Sequence, residues 1–106
     1  MRKYQIGYYQ KPSGEMPVKT YIKDKSPEDQ GKIKRKQDQL EVKGPFLKMP
    51  SARKMGKIYE LRPTGMRLFY YWRGKCAVFV HAVDKKDFTQ ADVSLAEKRR
   101  KELEGK

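Results

Sequence analysis

Apolar residues change their spacing several times along the chain, and each change marks an element. Residues 3–9 (KYQIGYY) are rich in aromatic side chains and run into Lys11, Pro12, Ser13 and Gly14, which predicts a strand followed by a turn. From Met16 the spacing lengthens: Val18, Tyr21 and Ile22 fall on one side of a short helix with Pro17 in its first turn. SPED at 26–29 predicts a second helix start. Ser26 can cap it, Pro27 suits the first helical position, and Glu28 and Asp29 complement the positive end of the helix dipole. That helix is expected to run to about residue 42, with Ile33 and Leu40 inward and Gly44-Pro45 as its stop.

A Pro-punctuated connection, FLKMPSARKMG at 46–56, leads into KIYELRPTGMRLFYYWRGKCAVFVHAVDKK at 57–86. The latter reads as three strands joined by tight turns at Pro63-Thr64-Gly65 and Arg73-Gly74-Lys75. Alternation sends Leu68, Tyr70 and Trp72 to one face, and Arg67, Phe69 and Tyr71 to the other. The chain closes with TQADVSLAEKRRKELEGK, in which Thr89 and Asp92 form a capping pair and Val93, Ala96, Arg100 and Leu103 a narrow stripe. The order β-α-α-β-β-β-α predicts a single α+β domain over residues 1–106, an antiparallel meander with its helices packed on one sheet face. The Leu68/Tyr70 face is the one to cover, which leaves Arg67 on an open face.

Charge changes this picture from a fold to a candidate site. The 106 residues carry 26 Lys and Arg against 13 Asp and Glu, a net charge of +13. Residues 47–86 hold ten of the basic side chains but only two acids, Glu60 and Asp84. Positive charge concentrated on a sheet, rather than on a tail, points to a polyanionic partner such as RNA; the plainer alternative is a solubilising surface. One Cys and one His exclude a disulfide framework and a zinc-type cluster, so no metal or cofactor is expected. Cys76, inside an apolar run, is expected to be a buried thiol. The start MRKYQIGYYQKP lacks an apolar leader core, and the longest apolar run, CAVFV, is too short to span a membrane. A cytoplasmic protein without membrane contact is therefore expected.

YELR at 59–62, MRLFYY at 66–71 and VHAVDKK at 80–86, followed by LAEKRRKEL, resemble the HigB/RelE superfamily of toxins, and most of all its phage-derived host-inhibition subgroup. The likeness covers nearly the whole chain, including the YY of the opening strand, the PV helix start and the GP helix stop. It implies a compact RelE-like toxin, neutralised by a helix-turn-helix antitoxin, that cleaves mRNA, in many members on the ribosome, and so stops translation. Arg67 matches the arginine that contacts the scissile phosphate in relatives, and Lys86 falls where a second basic catalytic residue is usual. Lys54 and Lys57 lie near lysines that some relatives use. The chain departs from relatives at Ile58 and Glu60, where some have lysines, and at Asp92, where certain relatives place a catalytic tyrosine.

Metal-independent RNA cleavage needs a base for the 2′-hydroxyl, positive charge at the phosphorane and a proton for the leaving oxygen. Arg67 suits the second task, because a guanidinium grips phosphate oxygens bidentately and stays charged. Lys85 and Lys86 can hold flanking phosphates or exchange protons. His81 and Glu60 offer a conventional acid–base pair. Against this, His81 also reads as a packed core histidine, Glu60 as an ion-pair partner of Arg62 or Arg67, and Phe69 and Tyr71 as core rather than base-stacking residues. Further RNA contacts are expected from Arg62, Arg73, Lys32 and Arg35, while KRRK at 98–101 reads as charge complementing a helix end. Two other functions stay open: a toxin of the same fold that poisons DNA gyrase, and a noncatalytic RNA- or ribosome-binding protein.

Overall fold

The computed structural model describes residues 2–105. Strand β1 (Gln5–Tyr8) precedes helices α1 (Pro17–Lys23) and α2 (Pro27–Lys43), and a 3-10 turn at Gly44–Phe46 leads to strands β2 (Ala52–Met55), β3 (Ile58–Leu61), β4 (Met66–Arg73) and β5 (Cys76–Asp84). A second 3-10 turn, Lys85–Asp87, precedes helix α3 (Gln90–Glu104).

The helix ends follow local chemistry. Ser26 caps α2 by accepting from the Asp29 N–H at 3.2 Å. Thr89 and Asp92 close a capping box at the start of α3. After α2 the chain turns through Gly44 at φ 56°, and a Cβ there would meet the Tyr4 ring at 2.3 Å, so both the backbone sign and the packing require glycine.

The five strands form one sheet in the order β1-β5-β4-β3-β2. Strands β2 to β5 are antiparallel neighbours, and β1 lies parallel to β5 at the edge. The fold is thus α+β with a mixed sheet. It adds to the expected meander a short edge strand, β2, from within the stretch read as a connection.

Helices cover both faces, which corrects the expectation of one. On the first face, Val18 of α1 and Ile33 and Leu40 of α2 pack on Leu61, Leu68, Tyr70 and Phe79. On the second, Val93 and Ala96 of α3 pack on Ile58, Phe69, Tyr71 and Val80. The reason is that both faces are apolar: alternation in β3, β4 and β5 feeds large side chains to each, and the stripe on α3 supplies the matching cover. Phe69 and Tyr71 are accordingly core residues. Cys76 is half-buried rather than buried, since it opens β5 instead of lying in its middle. Both ends of the KRRK run do more than complement a dipole: Arg99 donates to the Val80 carbonyl at 2.8 Å and lies over the Tyr9 ring, and Arg100 is buried and pairs with Glu104.

Candidate functional site

Arg67 opens β4 on the α3 side of the sheet. It is not on an open face: only 8% of it is exposed. Its Nη1 donates to the Met66 carbonyl at 2.7 Å and to the Pro63 carbonyl at 3.3 Å, so the turn before β4 holds the guanidinium in place. Burial, and next the nearby Arg62 charge, pull its pKa below the ordinary guanidinium value.

Beside it lies Glu60 of β3, 1% exposed. One oxygen, Oε1, faces three guanidiniums: Arg62 Nη1 at 3.3 Å, Arg53 Nε at 3.5 Å and Arg67 Nε at 4.0 Å. Sheet register accounts for part of this gathering, because Arg53 of β2 stands directly opposite Glu60. A single carboxylate cannot neutralise three arginines, so the cluster keeps a surplus of positive charge, half of it reachable from solvent through Arg53 and Arg62.

The same cross-strand row continues through Phe69 of β4 to His81 of β5. The expected pairing of His81 with Glu60 is absent, since two strand spacings put their backbones about 10 Å apart with Phe69 between them. His81 pairs instead with Asp92, Nε2 to Oδ1 at 2.7 Å, and its ring stacks on Phe69. A β-bulge makes this possible. Phe69 is opposite His81 while Tyr70 is opposite Phe79, leaving Val80 unmatched. Strict alternation from Phe79 would send His81 to the α1/α2 face; the extra residue turns it toward α3. Burial pushes the Asp92 carboxyl up, but the His81 bond and the Thr89 backbone N–H outweigh it and leave the group below its usual range.

Lys85 and Lys86 belong to neither group. They stand in the 3-10 turn after β5 and line a cavity of about 620 Å3 with Lys25, Asp29, Lys32, Thr64, Gly65, Met66 and Asp84. The cavity walls include residues of α2, so it lies on the α1/α2 side of the same sheet end. Lys54 and Lys57 line a different cavity with Tyr71 and Trp72. Arg73 closes β4, about 20 Å of strand from Arg67. Arg35 is exposed on α2, and Lys32 reaches the cavity at the opposite sheet end from Arg73. The residues expected to form one site therefore divide into an arginine cluster, a lysine cleft and scattered cations.

Two members escaped the sequence reading. Arg53 was hidden in a segment with Pro50 and Gly56 at its borders, too short to declare a strand. Asp92 was legible as a cap but not as the partner of His81, which depends on the bulge. Residues 20–101 match the family described as Phage derived protein Gp49-like (DUF891). The chain belongs to this phage-derived Gp49-like family. It is a toxin-like family related to RelE and HigB, and such membership implies an antitoxin partner. No curated protein matches the chain. No helix among the described residues is long and apolar enough to cross a membrane, and no group of His, Cys, Asp and Glu among them can hold a metal ion.

Proposed function

We propose that this Gp49-like protein is the toxin of a toxin–antitoxin pair and a metal-independent endoribonuclease that cleaves mRNA, on the ribosome, and so inhibits translation. The observation that carries this reading is the cluster in which one buried carboxylate holds three guanidiniums in a fixed arrangement. Preorganised donors of this kind stabilise charge that develops in a transition state, each by roughly 3–4 kcal/mol where water is excluded. Glu60 serves here as the organiser of the arginines rather than as a proton donor.

His81 is the general base of this reading. With Nε2–H donating to Asp92, the neutral ring presents Nδ1 as an acceptor, and Asp92 is in position to steady the imidazolium that forms. The 2′-hydroxyl loses its proton to His81 and its oxygen attacks the adjacent phosphorus. The P–O5′ bond then breaks, leaving a 2′,3′-cyclic phosphate, and solvent protonates the departing 5′-oxygen. Arg53, Arg62 and Arg67 face the phosphorane charge. Lys54, Lys57, Arg73 and Arg35 add sequence-independent contacts to RNA or ribosome, and their contribution falls with salt. The antitoxin is proposed to be a helix-turn-helix protein.

The burial of Arg67 favours a second reading, a noncatalytic RNA binder in which that side chain only braces the turn at Pro63. Pulse labelling of protein and DNA synthesis just after induction separates the readings. Protein synthesis stopping first, and only with the arginine cluster intact, is the expected result. DNA synthesis stopping first indicates a gyrase poison, and no arrest indicates the binder.

A further inference from the structure

We propose that the cleft between the start of α2 and the β4/β5 end of the sheet is a binding site for a phosphate ester, gripped by Lys85 and Lys86 against the Pro63–Gly65 turn. Four lysines and two aspartates line it. The aspartates are already matched: Asp84 accepts from Lys25 and from the Tyr21 hydroxyl, and Asp29 faces Lys32 at 3.5 Å. Lys85 and Lys86 form no ion pair among the described residues and are both exposed, so the surplus charge of the cleft is theirs.

The opposite wall supplies complementary donors. Met66 N–H bonds back to the Pro63 carbonyl across a turn with Gly65 at φ 83°, the geometry of a type II turn. The Gly65 carbonyl accepts from the Lys85 N–H, which fixes the distance between turn and lysines. The Thr64 and Gly65 N–H groups have no partner within the protein among the described residues, and the Thr64 side chain is exposed at the same rim. Two ammonium groups and backbone N–H donors around one space match the several oxygens of a phosphate, and Met66 provides apolar lining beside them. A volume of about 620 Å3 lies in the range of small-molecule sites and is roomy enough for a nucleotide.

Two sources share this chemistry, a free nucleotide and the backbone of a single strand. The same Pro63–Gly65 turn anchors Arg67 through the Pro63 carbonyl on the other face, so a strand leaving the arginine cluster has a short path into the cleft. The site itself does not depend on cleavage.

The test is an amide NMR titration of the whole protein with adenosine 5′-monophosphate, and separately with a short single-stranded oligodeoxynucleotide, which lacks the attacking 2′-hydroxyl. The expected result is saturable shifts concentrated at Thr64, Gly65, Lys85 and Lys86 with at least one ligand. Response to the mononucleotide marks a nucleotide site, and response to the oligonucleotide alone marks a strand subsite. In the strand case, Lys85→Ala/Lys86→Ala flattens the log K against log salt slope by about 1.4, the value for two lost contacts to a single strand. In the mononucleotide case it weakens binding about tenfold or more, while Lys75→Ala at the other end of the sheet changes neither. Because neither lysine is paired, the double variant keeps its fold, which its own amide spectrum verifies. Shifts spread over the whole basic surface, or binding unchanged in the double variant, overturn the proposal. Arg67→Ala is expected to leave the cleft shifts in place, so loss of cleavage and loss of this site are separate outcomes.

Discussion

The same end of the sheet is positive on both faces, yet the two faces hold their charge in different ways. On the α3 side, three arginines converge on a nearly inaccessible carboxylate, and one of them is itself buried. On the α1/α2 side, the acids are matched by Lys25 and Lys32, and the surplus sits on two exposed lysines. Planar guanidiniums with several donors suit a fixed arrangement, and hydrated, flexible ammonium groups suit an adaptable grip. The comparison teaches that charge density alone does not define a site: the first cluster is tied into the fold, and the second can be altered without touching it.

That difference sets the order of expected effects. The largest belongs to Glu60→Gln, which leaves three guanidiniums without their shared carboxylate. Breaking a buried ion pair from one side costs about 3 kcal/mol or more, and urea unfolding of the variant should show it. Next comes Arg67→Ala. The open-face expectation implied little loss of stability, but a buried side chain bonded to the Met66 and Pro63 carbonyls implies about 1–2 kcal/mol, together with a fall in RNA cleavage of about a hundredfold or more. Arg67→Lys, which keeps charge but loses the fork, should cost less stability and nearly as much activity.

Asp92 gives a pH-dependent case. Its carboxyl titrates below the usual range in the folded state, so its stabilisation is complete above the ordinary aspartate value near pH 4. It is lost as pH falls through the lower, folded value. Asp92→Asn should therefore cost about 1 kcal/mol at neutral pH, mostly as a weakened cap, and the gap from the unaltered protein should close in acid. Unfolding midpoints measured across that range check the sign. A gap that widens toward low pH contradicts it. The smallest effect is that of Lys85→Ala/Lys86→Ala on stability, expected within about 0.5 kcal/mol.

Much of the architecture was legible because local chemistry and tertiary demand agreed. Ser26, Pro27 and Glu28 mark one helix start, Thr89 and Asp92 another, and alternation in β4 sorted Leu68 and Tyr70 from Phe69 and Tyr71 correctly. What escaped depends on long-range pairing. The parallel placement of β1 beside β5 leaves no trace in either segment's periodicity. Four residues of β2 between Pro50 and Gly56 are too few to show alternation. The role of α3 on the second face was hidden by its narrow stripe, although the apolar residues opposite it were visible. Arg67 and Glu60 were legible as neighbours; the His81–Asp92 pair was not, because a bulge reverses the face that alternation assigns.

The central claim is that the arginine cluster cuts RNA, and its most direct test is to map the 5′ ends of cellular mRNA just after induction. The comparison is between the unaltered chain and Arg67→Lys, with the fold of the variant verified by its amide spectrum. The account predicts new internal mRNA ends with the unaltered chain and none, or very few, with the folded variant. The same ends at the same abundance with both proteins, or no new ends with either, would contradict it.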